Sequence, residues 1–151
     1  MADYSGKMAV IEQAAKAAGV TLVPMSRNLG DGLILNTVDA GTKFGDAQLA
    51  SLTPFAPYIV EAELGRTSVT DACLPTLAQF KHLRAIHLEG TAITGTGLTQ
   101  LTQLAQLRYL NLSETRVTEA AVAPLTSMKG LRHIYLYDTP AQPLSPLRNE
   151  P

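Results

Sequence analysis

With 151 residues, 46% hydrophobic and 17% charged, the chain can bury a core of its own without metal or disulfides. Its single cysteine, Cys73, excludes an internal disulfide, and a formal charge of −1 leaves no electrostatic footprint for nucleic acid or an anionic membrane. No apolar run nears the roughly 20 residues a bilayer span needs, and the stretch from Asp3 to Lys16 mixes small and charged residues unlike a signal peptide.

Ser5, followed by Met8, Ile11, Ala14, Ala15 and Ala18 and then by Gly19, predicts a capped amphipathic helix. Val20 to Val23 reads as a strand stopped by Pro24. The turn-rich Arg27–Gly32 leads to a second strand at Leu33-Ile34-Leu35. Residues 1–45 thus form an expected α-β-β cap, the irregular end unit that covers the open core of a solenoid. Next, Phe44, Asp46, Leu49, Leu52 and Phe55 share their spacing with Val69, Asp71, Leu74, Leu77 and Phe80, the trace of a first, irregular repeat.

One constant step then links Leu64, Leu88, Leu112 and Leu136, and likewise Thr67, Thr91, Thr115 and Thr139. The same step joins Leu83, Leu107 and Leu131; Val69, Ile93 and Val117; Thr70, Thr94 and Thr118; Leu77, Leu101 and Leu125; and Phe80, Leu104 and Met128. Seven columns in register define an internal repeat over residues 46–139, and its period of about 24 residues is that of a solenoid unit. Within each unit, Ile86/Leu88 and Leu110/Leu112 alternate as a strand with one buried face requires. Leu98, Leu101, Leu104 and Leu107 recur every three, which suits a helix or a 3₁₀ segment. Such units cannot bury their apolar faces alone; stacking them builds one core beneath a parallel sheet. Pro75 and Pro124 fall within the outer segments, where a proline past the first helical turn costs about 3 kcal/mol. Those segments therefore either start late or are 3₁₀. Pro140, Pro143, Pro146 and Pro151 make residues 140–151 a proline-rich tail that cannot continue the ladder.

These columns resemble leucine-rich repeats of the bacterial, ribonuclease-inhibitor-like kind, with the threonine column where Asn or Cys usually stands. A threonine hydroxyl can make the same bond to turn backbone over a shorter reach. The resemblance implies a short α/β solenoid with parallel strands on its concave side, helices or 3₁₀ segments outside and the α-β-β cap at one end. A narrower resemblance is to the C-terminal repeats of planctomycete-type c-type cytochrome domain proteins, carried by Gly6–Val23, Phe44-Gly45-Asp46 and the T-x-[VI]-T phrases between Leu83 and Thr139. That parentage implies a cell-envelope or periplasmic setting; without it the expectation is cytoplasmic. No C-x-x-C-H motif is present, so no haem chemistry carries over.

Between the strand leucines, residues point to the open side of the sheet. By row these are Glu61, Ala85, Tyr109, His133; Glu63, His87, Asn111, Tyr135; and Gly65, Glu89, Ser113, Tyr137. The candidate partner-binding set is Tyr109, His133, Tyr135, Tyr137, His87, Asn111 and Glu89, because tyrosine offers contact area at low entropic cost. The competing structural account is that tyrosines fit pleated surfaces and shield a terminal strand edge. Arg84, Arg108 and Arg132 form a basic column, expected to be balanced by Glu61, Glu63, Glu89 and Glu114, with an anion site as the alternative. Asp71 and Glu119 share a repeat position, and a charge at the start of an outer helix explains both. His82, His87 and His133 are too scattered for zinc, Cys73 takes a core slot, and Gly90, Gly95 and Gly97 are turn residues rather than a phosphate loop. The reading is a non-catalytic protein-interaction module without cofactor, metal, nucleic-acid or membrane-inserted function. The alternative is a scaffold domain appended to an envelope or redox protein.

Overall fold

The computed structural model describes residues 2–141, with side chains from Ser5 onward. Helix α1 spans Ala2–Ala18. Strand β1 (Thr21–Pro24) pairs antiparallel with β2 (Leu33–Asn36), placing Thr21 opposite Asn36 and Pro24 opposite Leu33. From β2 onward every pairing is parallel: β3 (Ile59–Glu63), β4 (Ala85–His87), β5 (Tyr109–Asn111) and β6 (His133–Tyr135) follow in chain order in one six-stranded sheet. The register puts Ala62, Ile86, Leu110 and Ile134 side by side, and all four are buried. The predicted alternation therefore faces the core as read, and the fold is the expected α/β array of parallel strands with helical and 3₁₀ segments opposite.

Those outer segments are short: α2 (Asp46–Ala50), α3 (Cys73–Leu77), a 3₁₀ segment at Leu98–Gln103, and α4 (Glu119–Val122) running into a 3₁₀ segment at Ala123–Ser127. They pack on one another in sequence order across the back of the core. Both prolines find positions that tolerate them. Pro75 is the third residue of α3, within its first turn, where its missing N–H has no intrahelical acceptor to serve. Pro124 is the second residue of the 3₁₀ segment at Ala123–Ser127.

Phe44, Leu49 and Leu52 are as fully buried as Val69, Leu74 and Leu77, so the irregular first repeat supplies equivalent core positions. Leu64, Leu88, Leu112 and Leu136 are likewise buried. Beneath them the hydroxyls of Thr67, Thr91, Thr115 and Thr139 donate to the carbonyls of Leu64, Leu88, Leu112 and Leu136 at 2.7, 2.7, 2.6 and 2.7 Å. Each bond closes the turn of its own repeat, as expected of the threonine column. The residue before each threonine (Arg66, Gly90, Glu114, Asp138) has φ of 59°, 67°, 58° and 56°, so the left-handed turn recurs with the same period.

Three expectations need correction. Helix α1 begins at Ala2, so Ser5 lies inside it and is not its cap; Met8, Ile11, Ala15 and Ala18 supply the buried stripe. Strand β1 begins at Thr21 and includes Pro24, tolerated because β1 is an edge strand. Asp71 does more than start an outer helix. Its carboxylate accepts from the backbone N–H groups of Thr94 and Gly95 and from the Thr94 hydroxyl, one repeat further on. Asp46 does the same for the Thr70 N–H and hydroxyl, whereas Glu119 is exposed in the first turn of α4. Of the proline-rich tail, Pro140 is exposed and the rest, from residue 142, lies outside the described residues.

Candidate functional site

The open face of the sheet carries the rows read from the sequence. Glu61, Ala85, Tyr109 and His133 are in register, as are Glu63, His87, Asn111 and Tyr135. The third row lies just past the strands, where the ladder persists: Arg66 N–H donates to Glu89 O at 2.8 Å, Gly90 N–H to Ser113 O at 3.0 Å and Glu114 N–H to Tyr137 O at 2.8 Å. Such short strands suffice because the flanking leucines continue the same bonds, with Leu88 N–H reaching Asn111 O and Leu112 N–H reaching Tyr135 O at 2.8 Å each.

Four rings meet on this face. Centroids of His87 and Tyr109 are 4.8 Å apart, those of Tyr109 and Tyr135 5.2 Å, and those of Tyr109 and His133 6.4 Å. His133 stacks on Tyr135 at 6.2 Å and 10°. All four separations lie in the range where aromatic pairs attract beyond simple area burial. Each of the four residues stays half-buried, so the cluster is packed yet accessible. Burial chiefly pushes the Tyr109 phenol above its ordinary value; Tyr135 adds to this, a hydrogen bond with Asn111 opposes it, and the Glu89 charge adds a little. Asn111 also accepts from Ser113 N–H at 3.0 Å, which fixes its amide.

Tyr137 does not join this cluster. It is 67% exposed, beyond the end of β6 and, among the described residues, in no ring contact. Of the seven candidate residues, Tyr109, Tyr135, His133 and His87 therefore form a compact ring cluster, with Tyr137 as an outlier. Two polar atoms within the face, Glu89 Oε1 and His133 Nδ1, are shut from solvent and make no hydrogen bond. Glu89 Oε1 stands 4.0 Å from His87 Nδ1, too long for a hydrogen bond. Gly65 gives Glu89 its room, since a Cβ there would come within 2.9 Å of the carboxylate carbon.

The arginine column is not balanced as expected. Arg84, Arg108 and Arg132 are exposed, and among the described residues no carboxylate pairs with them. Arg108 instead donates to the carbonyls of Ala105 and Leu107 at 3.2 and 3.3 Å. For Glu89 the reason is distance along the strand. From Arg84 to Glu89 the extended chain runs about 16 Å, at roughly 3.3 Å per residue. Glu114 pairs with Arg66 at 2.9 Å, a bridge spanning two repeats that sequence reasoning misses. Its signal is the shared turn column: Gly90 stands between Arg66 and Glu114, and a Cβ there would lie 2.8 Å from the Arg66 guanidinium. Charge on the open face is therefore uneven: arginines stand just before β4, β5 and β6, while carboxylates gather on β3 (Glu61, Glu63) and just past β4 (Glu89).

Beside the turns runs a groove of about 940 Å³ lined by Thr67, Thr91, Thr115, Glu114, Arg116 and Asp138. The threonine hydroxyls there already serve the leucine carbonyls. Among the described residues no group of three His, Cys, Asp or Glu side chains could hold a metal ion. No helix among them is long and apolar enough to cross a membrane.

No protein-family model and no curated protein matches the sequence. Among solved structures, the chain is similar to internalin C2 from Listeria monocytogenes, with 24% identity and a TM-score of 0.52 over 65% of this chain and 42% of that one. It also matches internalin F from the same organism at 16% identity and a TM-score of 0.38, over 58% and 38% of the two chains. The aligned part thus spans less than half of either internalin. The likeness to internalin C2 is one of fold: this chain has a leucine-rich-repeat architecture.

Proposed function

We propose that the chain is a non-catalytic protein-interaction module that holds a protein partner against the open face of its sheet. One observation carries this reading: the continuous cluster of His87, Tyr109, Tyr135 and His133 rings on a face whose side chains stay within reach of solvent. Aromatic side chains standing together at the centre of such a face are the usual source of binding energy in interfaces. Asn111 and Glu89 edge the cluster, and Tyr137 serves as a peripheral contact. Residues 1–45 act as the cap, residues 46–139 as the binding array, and residues 140–151 as a tail.

The face is small. The six strands at about 4.8 Å spacing give roughly 24 Å of width, and with so few rows of side chains the face stays short of the ~800 Å² per partner of a standard stable interface. The module therefore fits a larger assembly, in which this contact is one of several. The T-x-[VI]-T phrases support an envelope or redox protein of the planctomycete cytochrome kind as that setting, with scaffolding as the second reading. A pull-down comparing wild type with the Tyr109→Ala, Tyr135→Ala double variant tests the proposal. Loss of a specific partner with unchanged melting supports the binding face; an unchanged partner set with lowered stability overturns it.

A further inference from the structure

The charge pattern around the rings points to a narrower class of partner. Glu61 and Glu63 lie on β3, in register with Ala85 and His87 of β4. Both glutamates are half-buried, and among the described residues neither has a cationic partner. Across Ala85, in the same row, stands Tyr109. Ala85 puts only a methyl, itself buried beneath its neighbours, between the Glu61 position and that of Tyr109, and His87 borders the same spot from the next row. One row further lies Glu89, with one carboxylate oxygen buried and unbonded.

Two unpaired carboxylates on one side and two rings on the other form the surroundings a cationic side chain takes. The carboxylates supply charge, and a ring within about 6 Å supplies cation–π attraction. Two like charges two residues apart on one strand face repel each other, and a partner's cation placed between them would offset that repulsion. Arginine suits the place better than lysine, because a planar guanidinium can fork to carboxylates while lying on a ring. Arg84, one residue before Ala85, and Arg108 and Arg132 beside it at strand entry are exposed and disfavour a cation on that side. The face therefore both attracts a cation to the Glu61–Glu63–Tyr109 corner and sets which way a partner chain lies.

We propose that the partner is a polypeptide segment presenting an arginine or lysine that seats over Ala85, between Glu61, Glu63 and the rings of Tyr109 and His87, with an apolar or aromatic neighbour against Tyr135. This rests on the open face being the binding surface, and the test separates the two.

The probe is a random linear peptide library displayed on phage and selected against the full chain. The strongest peptide is then synthesised with and without its cationic residue, arginine or lysine replaced by norleucine. The expected result is enrichment of Arg or Lys next to an aromatic or apolar residue. The Glu61→Gln, Glu63→Gln double variant should lose about tenfold in affinity, the size of a charge-assisted contact, and the same loss should follow norleucine replacement without adding to it. Added salt should weaken wild-type binding and affect the double variant little. Selected peptides that lack a cation, or that bind the double variant unchanged, overturn the cation seat while leaving the face intact, provided Tyr109→Ala still abolishes their binding. Acidic peptides would place the contact on Arg84, Arg108 and Arg132 and overturn it equally. Peptides indifferent to Tyr109→Ala, or no selected peptides at all, overturn the underlying reading of the face.

Discussion

Asp71 is tied to Thr94 across a repeat boundary: its carboxylate accepts the Thr94 backbone N–H at 3.0 Å and the Thr94 hydroxyl, and takes the Gly95 N–H at 3.1 Å as well. Three donors from the next unit converge on one charged acceptor. Asp71→Ala should therefore destabilise the chain by about 1–3 kcal/mol, the range for lost charge-assisted hydrogen bonds. Asp71→Asn, which keeps one acceptor, should cost clearly less. Urea melts of the two variants check this, and equal costs would show that the acceptor does not matter.

Gly95 adjoins that bond, with φ of 107° and a backbone so placed that an added Cβ would overlap the Ala121 methyl of the following repeat. Gly95→Ala therefore meets both a left-handed backbone and a rigid neighbour. It should cost about 2 kcal/mol or more, the upper part of the range for single substitutions. Gly97→Ala shares the positive φ but has its nearest contact at 3.6 Å, so thermal melting should rank it the milder of the two.

Leu112 is fully buried at the centre of its column. Leu112→Ala should lower stability by about 2–5 kcal/mol through an unfilled cavity. A melting temperature equal to wild type would contradict the repeat register.

Burial chiefly, with the Asp46 and Asp71 charges adding, pushes the Cys73 thiol up to about 12. In the unfolded chain the thiol ionises near the ordinary ~8.5. A raised folded value means that the neutral thiol's contribution is complete below about pH 8.5 and is lost as pH rises toward 12. The native protein should accordingly resist a thiol-exchange reagent at about pH 8 and react at once in urea. The wild type should also lose more stability than Cys73→Ala as pH rises from about 8.5 to about 11.

Tyr109 sits in three of the four ring contacts on the open face, and Tyr137 in none of them. Tyr109→Phe should remove a phenol that titrates above the ordinary tyrosine range in an ultraviolet pH titration. For partner binding, Tyr109→Ala should cost about 2 kcal/mol or more, as a central anchor does, and Tyr137→Ala about 1 kcal/mol or less. Calorimetric titration with the captured partner checks the ranking, and equal losses would contradict it.

Much of this architecture is legible because the core repeats with the backbone. The leucines at 64, 88, 112 and 136 and the threonines that follow them report the same strand and turn each time, so period alone sets strand order, register and outward rows. What escapes a sequence reading depends on side chains reaching between units. The Asp46–Thr70 and Asp71–Thr94 bonds and the Arg66–Glu114 bridge join residues 24, 23 and 48 apart, and nothing in local sequence marks them as partners. Proximity in sequence matches the arginine column to glutamates, whereas the arginines stand just before the strands, Glu89 stands past β4, and Glu114 is taken by Arg66. Residue type groups Tyr137 with the cluster, although the extended chain after Tyr135 carries it past the sheet. The start of α1 is misread from Ser5 because a serine that resembles a cap also fits a helix's exposed side.

Each threonine hydroxyl bond closes within its own unit, and each of β3 to β6 meets only the strands next to it in the chain. Nothing in that arrangement counts how many units there are. One full repeat, cut at the threonine turns, could be duplicated or excised with the strand ladder and the threonine turns kept, so the breadth of the open face can vary by whole steps. Evolution, or an engineer, can thus adjust reach without renegotiating the core.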